Sequence, residues 1–420
     1  MKRWLLPMIV FSNVASAQTI DRLTLSQAYD LAQQNYPVIK QKALVLQTEN
    51  ITIDNLQKGY LPQFTVSGQA SYQSDVTGFN LTFPGISILP PDKDQYKVVA
   101  DLNQLVYDGG MIRQEKQTAE LNSEVEQQKV EVELYQVKGR INQVYLGVLF
   151  VDEQIKQTDF TREDVLVGIK QVEAQVKNGV AFKSNLNLLK AQLLQIDQRV
   201  IELRATRKGL VQTLALFVNQ PLNDTIVFET PLVAVSTDAA ISRPELKLYD
   251  NQSQLILQQN KLVTAKNLPK LSLFAQGGYG KPGLNLLKNE FDWIWLGGVR
   301  LNWPLGGLYT LKKEKQLNEV NKEIVDIQKE TFLLNTSTTL KAQQSEIDKY
   351  EQLIATDQAI IDLRDDVKKA SQAQLENGVI TADDYVRNVN NEALARQSLI
   401  VHQIQLLQAQ INYQTTLGKQ

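Results

Sequence analysis

Cysteine is absent from this 420-residue chain, which excludes disulfides, thiolate catalysis and cysteine-based metal sites. The same absence excludes a lipid carried on an N-terminal cysteine, so a lipoprotein is not expected. Histidine is nearly absent too. His402 stands alone beside Val401 and Ile404, with no second histidine to share a metal, and reads as a surface or seam residue. No glycine-rich loop follows a strand and opens a helix, as a phosphate cradle would require. Acidic pairs such as Glu163-Asp164 and Asp365-Asp366 sit in helical surroundings, where a solvated face accounts for them. Neither catalytic residues, cofactors nor metal ligands are expected, and the chain does not read as an enzyme. Charge of either sign is also not in excess. The 44 basic and 46 acidic side chains give −2, and the balance offers no basic face for nucleic acid. Long apolar runs are missing as well. No later segment supplies the roughly twenty continuous apolar residues of a membrane helix.

The first residues have the pattern of an export leader. Lys2 and Arg3 form a positive start, Trp4 to Phe11 an apolar core, and Ala15-Ser16-Ala17 a small-residue cleavage site. Cleavage is expected after Ala17, leaving 42 basic against 46 acidic side chains, a charge of −4. A buried N-terminal helix is the alternative reading of the same residues.

What the chain does have is the same pattern twice. Leu61-Pro62-Gln63-Phe64-Thr65-Val66 returns as Leu268-Pro269-Lys270-Leu271-Ser272-Leu273, and Pro37-Val38-Ile39-Lys40 as Pro244-Glu245-Leu246-Lys247. Asp108-Gly109-Gly110 returns as Leu305-Gly306-Gly307, and Asn178-Gly179-Val180 as Asn377-Gly378-Val379. A duplicated unit implies two equivalent halves. The expected division is a leader at 1–17, a first repeat at 18–220, an equatorial linker at 221–242 and a second repeat at 243–420.

Each half carries long helices. Between about Gly110 and Lys177 there is no proline, and Val130, Leu134, Val137, Ile141, Val144, Val148, Val151 and Ile155 alternate spacings of four and three. After Asn178-Gly179 the rhythm resumes through Leu186, Leu189, Leu193, Ile196, Val200, Leu203, Arg207, Leu210, Leu214 and Phe217. Such alternation specifies a coiled-coil seam, and the short turn makes an antiparallel hairpin over 110–217 with its tip at 178–180. The second half repeats this over 308–417, opening with Leu317, Val320, Ile324 and Ile327 and turning at 377–379. A helix near 65 residues would span on the order of 100 Å.

Between the helices the period changes to two. Phe64, Val66, Gly68, Ala70 and Tyr72 alternate with Gln63, Thr65, Ser67, Gln69, Ser71 and Gln73, which predicts a strand at about 63–73. Further strands are predicted at about 96–107, 270–280 and 292–304. Leu273 and Tyr279 lie on the apolar face of the third, and Trp293, Trp295 and Trp303 on that of the fourth. The pattern fits membrane strands with an interfacial aromatic belt, and Phe64, Val66, Tyr72, Leu273, Tyr279, Trp293, Trp295 and Trp303 are the expected lipid-facing residues. The ordinary alternative is a soluble sandwich. Four strands cannot close a barrel, and open edges cannot face lipid, so membrane strands would require oligomerisation. Three chains would supply twelve strands, within the known range, but the sequence fixes closure rather than the number three.

The order of elements, the paired Leu-Pro strand starts, the glycine pairs at the strand-to-helix exits and the Asn-Gly-Val tips together resemble the TolC-like outer-membrane factors (outer membrane efflux proteins) over essentially the whole mature chain. That resemblance implies a mostly α protein with a β-barrel contribution, in which a homotrimer builds a twelve-stranded barrel and an α-helical tunnel. It implies an equatorial region at Thr19 to about Gln34 with Pro221–Ser242. It also implies an outer-membrane location in a Gram-negative bacterium with a long periplasmic extension. The role implied is an exit duct for tripartite efflux or type I secretion, supplied by an inner-membrane transporter through a periplasmic membrane-fusion adaptor that grips the hairpin tips, Asn178, Gly179, Val180, Asn377, Gly378 and Val379. A periplasmic gate is implied just past the second tip, at Asp383, Asp384 and Arg387. Where relatives carry a second aspartate this chain has Arg387, which can pair with Asp384 across i, i+3. The aspartates also fit the simple start of a helix, and Ser184 reads as the N-cap of the corresponding helix in the first half. A periplasmic coiled-coil scaffold that never enters a membrane is the competing reading.

Overall fold

The computed structural model describes residues 21–76, 92–233, 240–285 and 288–419. The expected leader, Thr19 and most of the loop near 75–93 lie outside the described residues. After a short strand β1 (Arg22–Leu23) and helix α1 (Leu25–Asn35), the chain runs through α2 (Lys40–Gln57), β2 (Gln63–Tyr72), β3 (Asp94–Tyr107), α3 (Met111–Lys177) and α4 (Lys183–Val218). A second short strand, β4 (Val227–Phe228), follows. The order then repeats as α5 (Pro244–Lys266), β5 (Lys270–Lys281), β6 (Asp292–Asn302), α6 (Leu308–Glu376) and α7 (Ala382–Leu417). The long helices of the two halves have 67 and 69 residues, and both return helices have 36. Among the described residues no helix is long and apolar enough to cross a membrane.

The chain divides into two compact units, and each takes segments from both repeats. The first comprises the chain up to Ile39 with Val132–Arg243 and Leu334–Gln420; the second comprises Lys40–Glu131 and Pro244–Leu333. In the first unit the predicted seam is a core. Val137, Ile141 and Val148 of α3 are buried with Val211, Leu214 and Val218 of α4, and α1 adds Leu25, Ala28 and Ala32. Thr24 caps α1 with a capping box, its hydroxyl accepting from the Gln27 amide while the Gln27 side chain accepts from the Thr24 amide. Arg207, the one charged residue of the α4 seam, stays there because Asp152 of α3 receives it through two hydrogen bonds of 2.5 and 3.3 Å, and the Ile226 carbonyl accepts a third at 2.7 Å. The parallel pair β1–β4, which the periodicity did not signal, hangs on Tyr145. Its buried hydroxyl lies 2.7 Å from the carbonyls of both Leu23 and Glu229.

The second half treats its seam differently. Leu317, Val320, Ile324 and Ile327, expected to pack within their own hairpin, stay exposed, Leu317 and Ile327 at 60%. The buried positions of α6 include Asn318, Thr336, Asp357 and Ser371 beside Ile347, Ile361 and Leu375. Several of these polar residues have specific partners. Asn318 donates to Asn260 Oδ1 at 2.8 Å, Asn388 donates to Ser371 Oγ at 2.6 Å, and His402 Nδ1 lies 2.5 Å from Asp357 Oδ2. His402 is thus a seam residue.

The second unit holds one antiparallel sheet in the order β2-β3-β5-β6. Pairing across the two repeats is made by β3 with β5 over Tyr96↔Lys281 to Tyr107↔Leu271. The sheet joins α3 through tight packing. Asp108 caps that helix by accepting from the amides of Gly110 and Ile112 at 2.8 and 2.7 Å. At the equivalent exit in the second repeat, the Asn267 side chain lies close over Gly307, where a Cβ would displace its Oδ1.

Candidate functional site

Three surfaces were singled out from the sequence, and each is built by a different part of the fold. The first is a face of the sheet. Register places Phe64, Leu102 and Ala275 in one row, Val66, Ala100, Gly277 and Trp295 in the next, and Gly68, Val98, Tyr279 and Trp293 in a third. Strand side chains alternate faces, so these rows form one continuous apolar surface across all four strands. Its members Phe64, Val66, Tyr72, Leu273, Tyr279, Trp293, Trp295 and Trp303 are all exposed, Trp295 at 81%. Tyr279 packs against Trp293 and Phe291 at 5.2 and 5.5 Å, which gathers aromatic rings at one end of the sheet. At the other end Trp303, just past β6, donates its indole N–H to the Asn267 carbonyl at 3.2 Å. The opposite face carries Asp101, Gln276 and Arg300 but is not purely polar: Val99 and Ile294 are buried there, and Arg300 lies over the Phe274 ring at 4.6 Å. The outer edges of β2 and β6 have no strand partner among the described residues.

The second surface is the pair of hairpin tips. Both end their long helices with the same six-residue hydrogen-bond closure. Val180 N–H donates to the Gln175 carbonyl at 2.9 Å and Gly179 N–H to Val176 at 3.1 Å. In the second half Val379 N–H donates to Gln374 at 2.8 Å and Gly378 N–H to Leu375 at 3.1 Å. Gly179 and Gly378 adopt φ of +76° and +68°, which explains glycine at both positions. Val180, Phe182 and Val379 project, 73%, 80% and 71% exposed. The two tips are held side by side. Gln175 donates to the Leu375 carbonyl at 2.6 Å and Gln171 donates to the Glu376 carboxylate. Beneath them Val165, Ile169 and Leu189 pack with Leu375, Tyr385 and Val389.

The third is the start of α7. Thr381 is its N-cap, and Asp384 completes a capping box, accepting from the Thr381 amide at 3.2 Å and from its hydroxyl at 2.7 Å. These hydrogen bonds, more than the nearby Arg387, hold the Asp384 carboxyl below the usual carboxylate range. Arg387 pairs most closely with Asp383, at 2.5 Å across i, i+4, whereas Asp384 lies 4.0 Å away. The i, i+3 partner expected from the sequence is therefore secondary, since the capping role occupies Asp384. The matching helix α4 begins otherwise. Its N-cap is Phe182 with no side-chain cap, and Ser184 lies inside the first turn, so the predicted Ser184 cap is not formed. Sequence reasoning also missed Tyr385, whose buried hydroxyl donates to the Asp164 carbonyl at 3.0 Å and whose pKa burial pushes up to about 12. Gly168 is the signal that marks this contact, because a Cβ there would lie 2.7 Å from the Tyr385 ring. Among the described residues no cluster fit to hold a metal ion is present.

Residues 28–219 match the family model described as outer membrane efflux protein. No curated protein matches the sequence. Among solved structures the fold is similar to the outer membrane protein VceC of Vibrio cholerae, with TM-score 0.66 at 14% identity over 94% of this chain and 96% of that one. It is similar to the CmeC outer membrane channel of Campylobacter jejuni, with TM-score 0.64 at 14% identity over 94% and 85%. The open-state MtrE outer membrane channel of Neisseria gonorrhoeae gives TM-score 0.63 at 13% identity over 100% and 97%. The chain is thus similar in sequence to the outer membrane efflux proteins over residues 28–219, and it shares over nearly its whole length the fold of solved outer membrane channels.

Proposed function

We propose that the protein is an outer-membrane exit duct of a tripartite efflux or type I secretion system, working as a homotrimer without catalytic chemistry of its own. One observation carries this reading. The four-stranded sheet presents an exposed apolar, aromatic-rich face, interrupted by Gln104, together with two long edges that have no strand partner among the described residues. In water such a surface is an aggregation site. In a bilayer the face is favourable, and the edges are satisfied only by closure with further copies. Three chains complete a twelve-stranded barrel with a polar-lined interior, and the aromatic rings at the sheet's ends become interfacial girdles.

The remaining assignments follow from that placement. Residues 1–17 act as the export leader, and the long helices extend into the periplasm as a tunnel. The two tips, Asn178-Gly179-Val180 and Asn377-Gly378-Val379, contact a membrane-fusion adaptor that links the duct to an inner-membrane transporter. Asp383, Asp384 and Arg387 line the periplasmic gate. Arg387 pairs with Asp383, which leaves the Asp384 carboxylate as one net negative charge per chain at the constriction, less than two unpaired aspartates would supply.

The test is to extract the processed protein from purified outer membranes in mild detergent and measure its mass. A trimer in that fraction is expected. A soluble periplasmic monomer or dimer would overturn the duct in favour of a coiled-coil scaffold.

A further inference from the structure

Within the first unit, α1, the middle of α3, the last turns of α7 and the segment Pro231–Val233 line a cleft of about 470 Å³ that opens to solvent. That volume is in the range of sites for small organic molecules. Leu25, Val233 and Ile411 supply apolar wall, and Leu232 stands fully exposed at its rim. Into this lining comes one buried cation. Lys138 is only 4% exposed, with its Nζ 5.2 Å from the centre of the Tyr29 ring and 5.0 Å from that of Tyr135.

Nothing negative meets that ammonium among the described residues. Lys138 has no ion pair there, and Asp30 acts on it only as a more distant charge. Both phenols are turned elsewhere: the Tyr29 hydroxyl donates to Asn142, and the Tyr135 hydroxyl donates to the Thr415 carbonyl at 2.6 Å. The rings therefore give Lys138 two cation–π contacts but no counter-charge. Burial pushes its pKa down, as it must for an ammonium removed from water without an anion. A second cation, Arg243, lies over the Tyr135 ring at 4.8 Å, and Lys419 also lines the cleft. A buried charge with no acidic partner among the described residues is costly unless something pairs with it.

We propose that this cleft binds a single-chain organic anion, an alkyl carboxylate whose head pairs with Lys138 and whose chain lies against Leu25, Val233 and Ile411. The carboxylate supplies the missing counter-charge, and the chain displaces water from the apolar wall. The site stands whether or not the chain forms a duct.

Decanoate is the probe, titrated calorimetrically into the full processed protein in non-ionic detergent against protein-free micelles of the same composition. Saturable binding at one site per chain is expected. Lys138→Met should weaken it roughly tenfold or more, the scale of one charge-assisted hydrogen bond. Decanol, with a neutral head, should bind the unaltered protein as weakly, and Val233→Trp, which fills the cleft while leaving Lys138 in place, should also abolish binding. Affinity for decanoate unchanged by Lys138→Met, or heats indistinguishable from empty micelles, would overturn the proposal. Should Lys138→Met fail to fold, acylation of Lys138 in the unaltered protein, mapped by mass spectrometry, decides the matter: protection by decanoate supports the site, and unchanged labelling refutes it.

Discussion

The two helical hairpins are built to nearly one length and one rhythm, yet the opening turns of α6 use their apolar residues differently from the seam of α3 and α4. In α3 and α4 the seam is core: Ile141, Val148, Leu189 and Leu214 are buried within the chain. In α6 the seam residues Leu317, Val320, Ile324 and Ile327 face outward, while Asn318, Thr336, Asp357 and Ser371 point into the chain. Apolar periodicity therefore says that a face will be covered, but not by what. The first hairpin covers its seam with its own chain. In the proposed trimer the second keeps its seam for a neighbouring copy.

The sharpest way to break this comparison is to damage each seam and read folding and assembly separately. Leu214→Ala removes a fully buried side chain and should cost about 2–5 kcal/mol, lowering the thermal midpoint of the protein whatever its oligomeric state. Val320→Asp with Ile327→Asp should leave the monomer's helicity by circular dichroism unchanged and prevent recovery of a trimer. Loss of helicity in that double variant would mean the α6 seam is intramolecular after all.

A smaller effect is expected where α7 docks on α3. Gly168→Ala forces a methyl against the Tyr385 ring and should cost about 1–3 kcal/mol by overpacking, measured as a shift in urea midpoint. Relief by Gly168→Ala combined with Tyr385→Leu would confirm the cause. Smaller still is the tip substitution. Gly179→Ala and Gly378→Ala each place a side chain at positive φ, costing about 1 kcal/mol, and the two values should agree because the tips are the most alike parts of the halves. Unequal costs would show that only one tip is held in its conformation by surroundings.

The finest test concerns the return helices. Thr381→Ala should destabilise the start of α7 by about 1 kcal/mol, whereas Ser184→Ala should change little because Ser184 is not a cap. Hydrogen exchange of the first-turn amides reads both. The Asp384 carboxyl has a folded-state pKa below its unfolded one. Its stabilisation is therefore present above the ordinary carboxylate pKa of about 3.9 and is lost as pH falls through the lower folded value. In the Thr381→Ala variant that acid sensitivity should diminish.

Much of the architecture could be read from the sequence because it rests on period and punctuation. Alternation at 63–73 and the tryptophan spacing at 293, 295 and 303 marked strands and their outward face, and Asn-Gly marked both turns. What escaped depended on partners distant in sequence. The β1–β4 pair is two residues long and exists because Tyr145 bridges it, a contact no local pattern encodes. The Ser184 prediction failed because a serine near a helix start satisfies the cap rule wherever the chain bends, and here the bend falls at Phe182. Asp384 was legible as a residue at the head of α7, but its capping geometry, which diverts it from Arg387, became visible only with the Thr381 side chain in place.

The way the two compact units interleave the halves of the chain has a consequence for synthesis. A protein whose repeats folded separately could finish its first half while the second was still being made. Here the first unit joins the segment before Ile39 to residues beyond Leu334, and the second joins Lys40–Glu131 to Pro244–Leu333. Neither can be completed until most of the polypeptide has emerged, so closure of these long-range contacts comes late and slowly. In the proposed export route, a chain threaded across a membrane in extended form gains from that delay, because its own topology postpones the tertiary structure that would jam the passage.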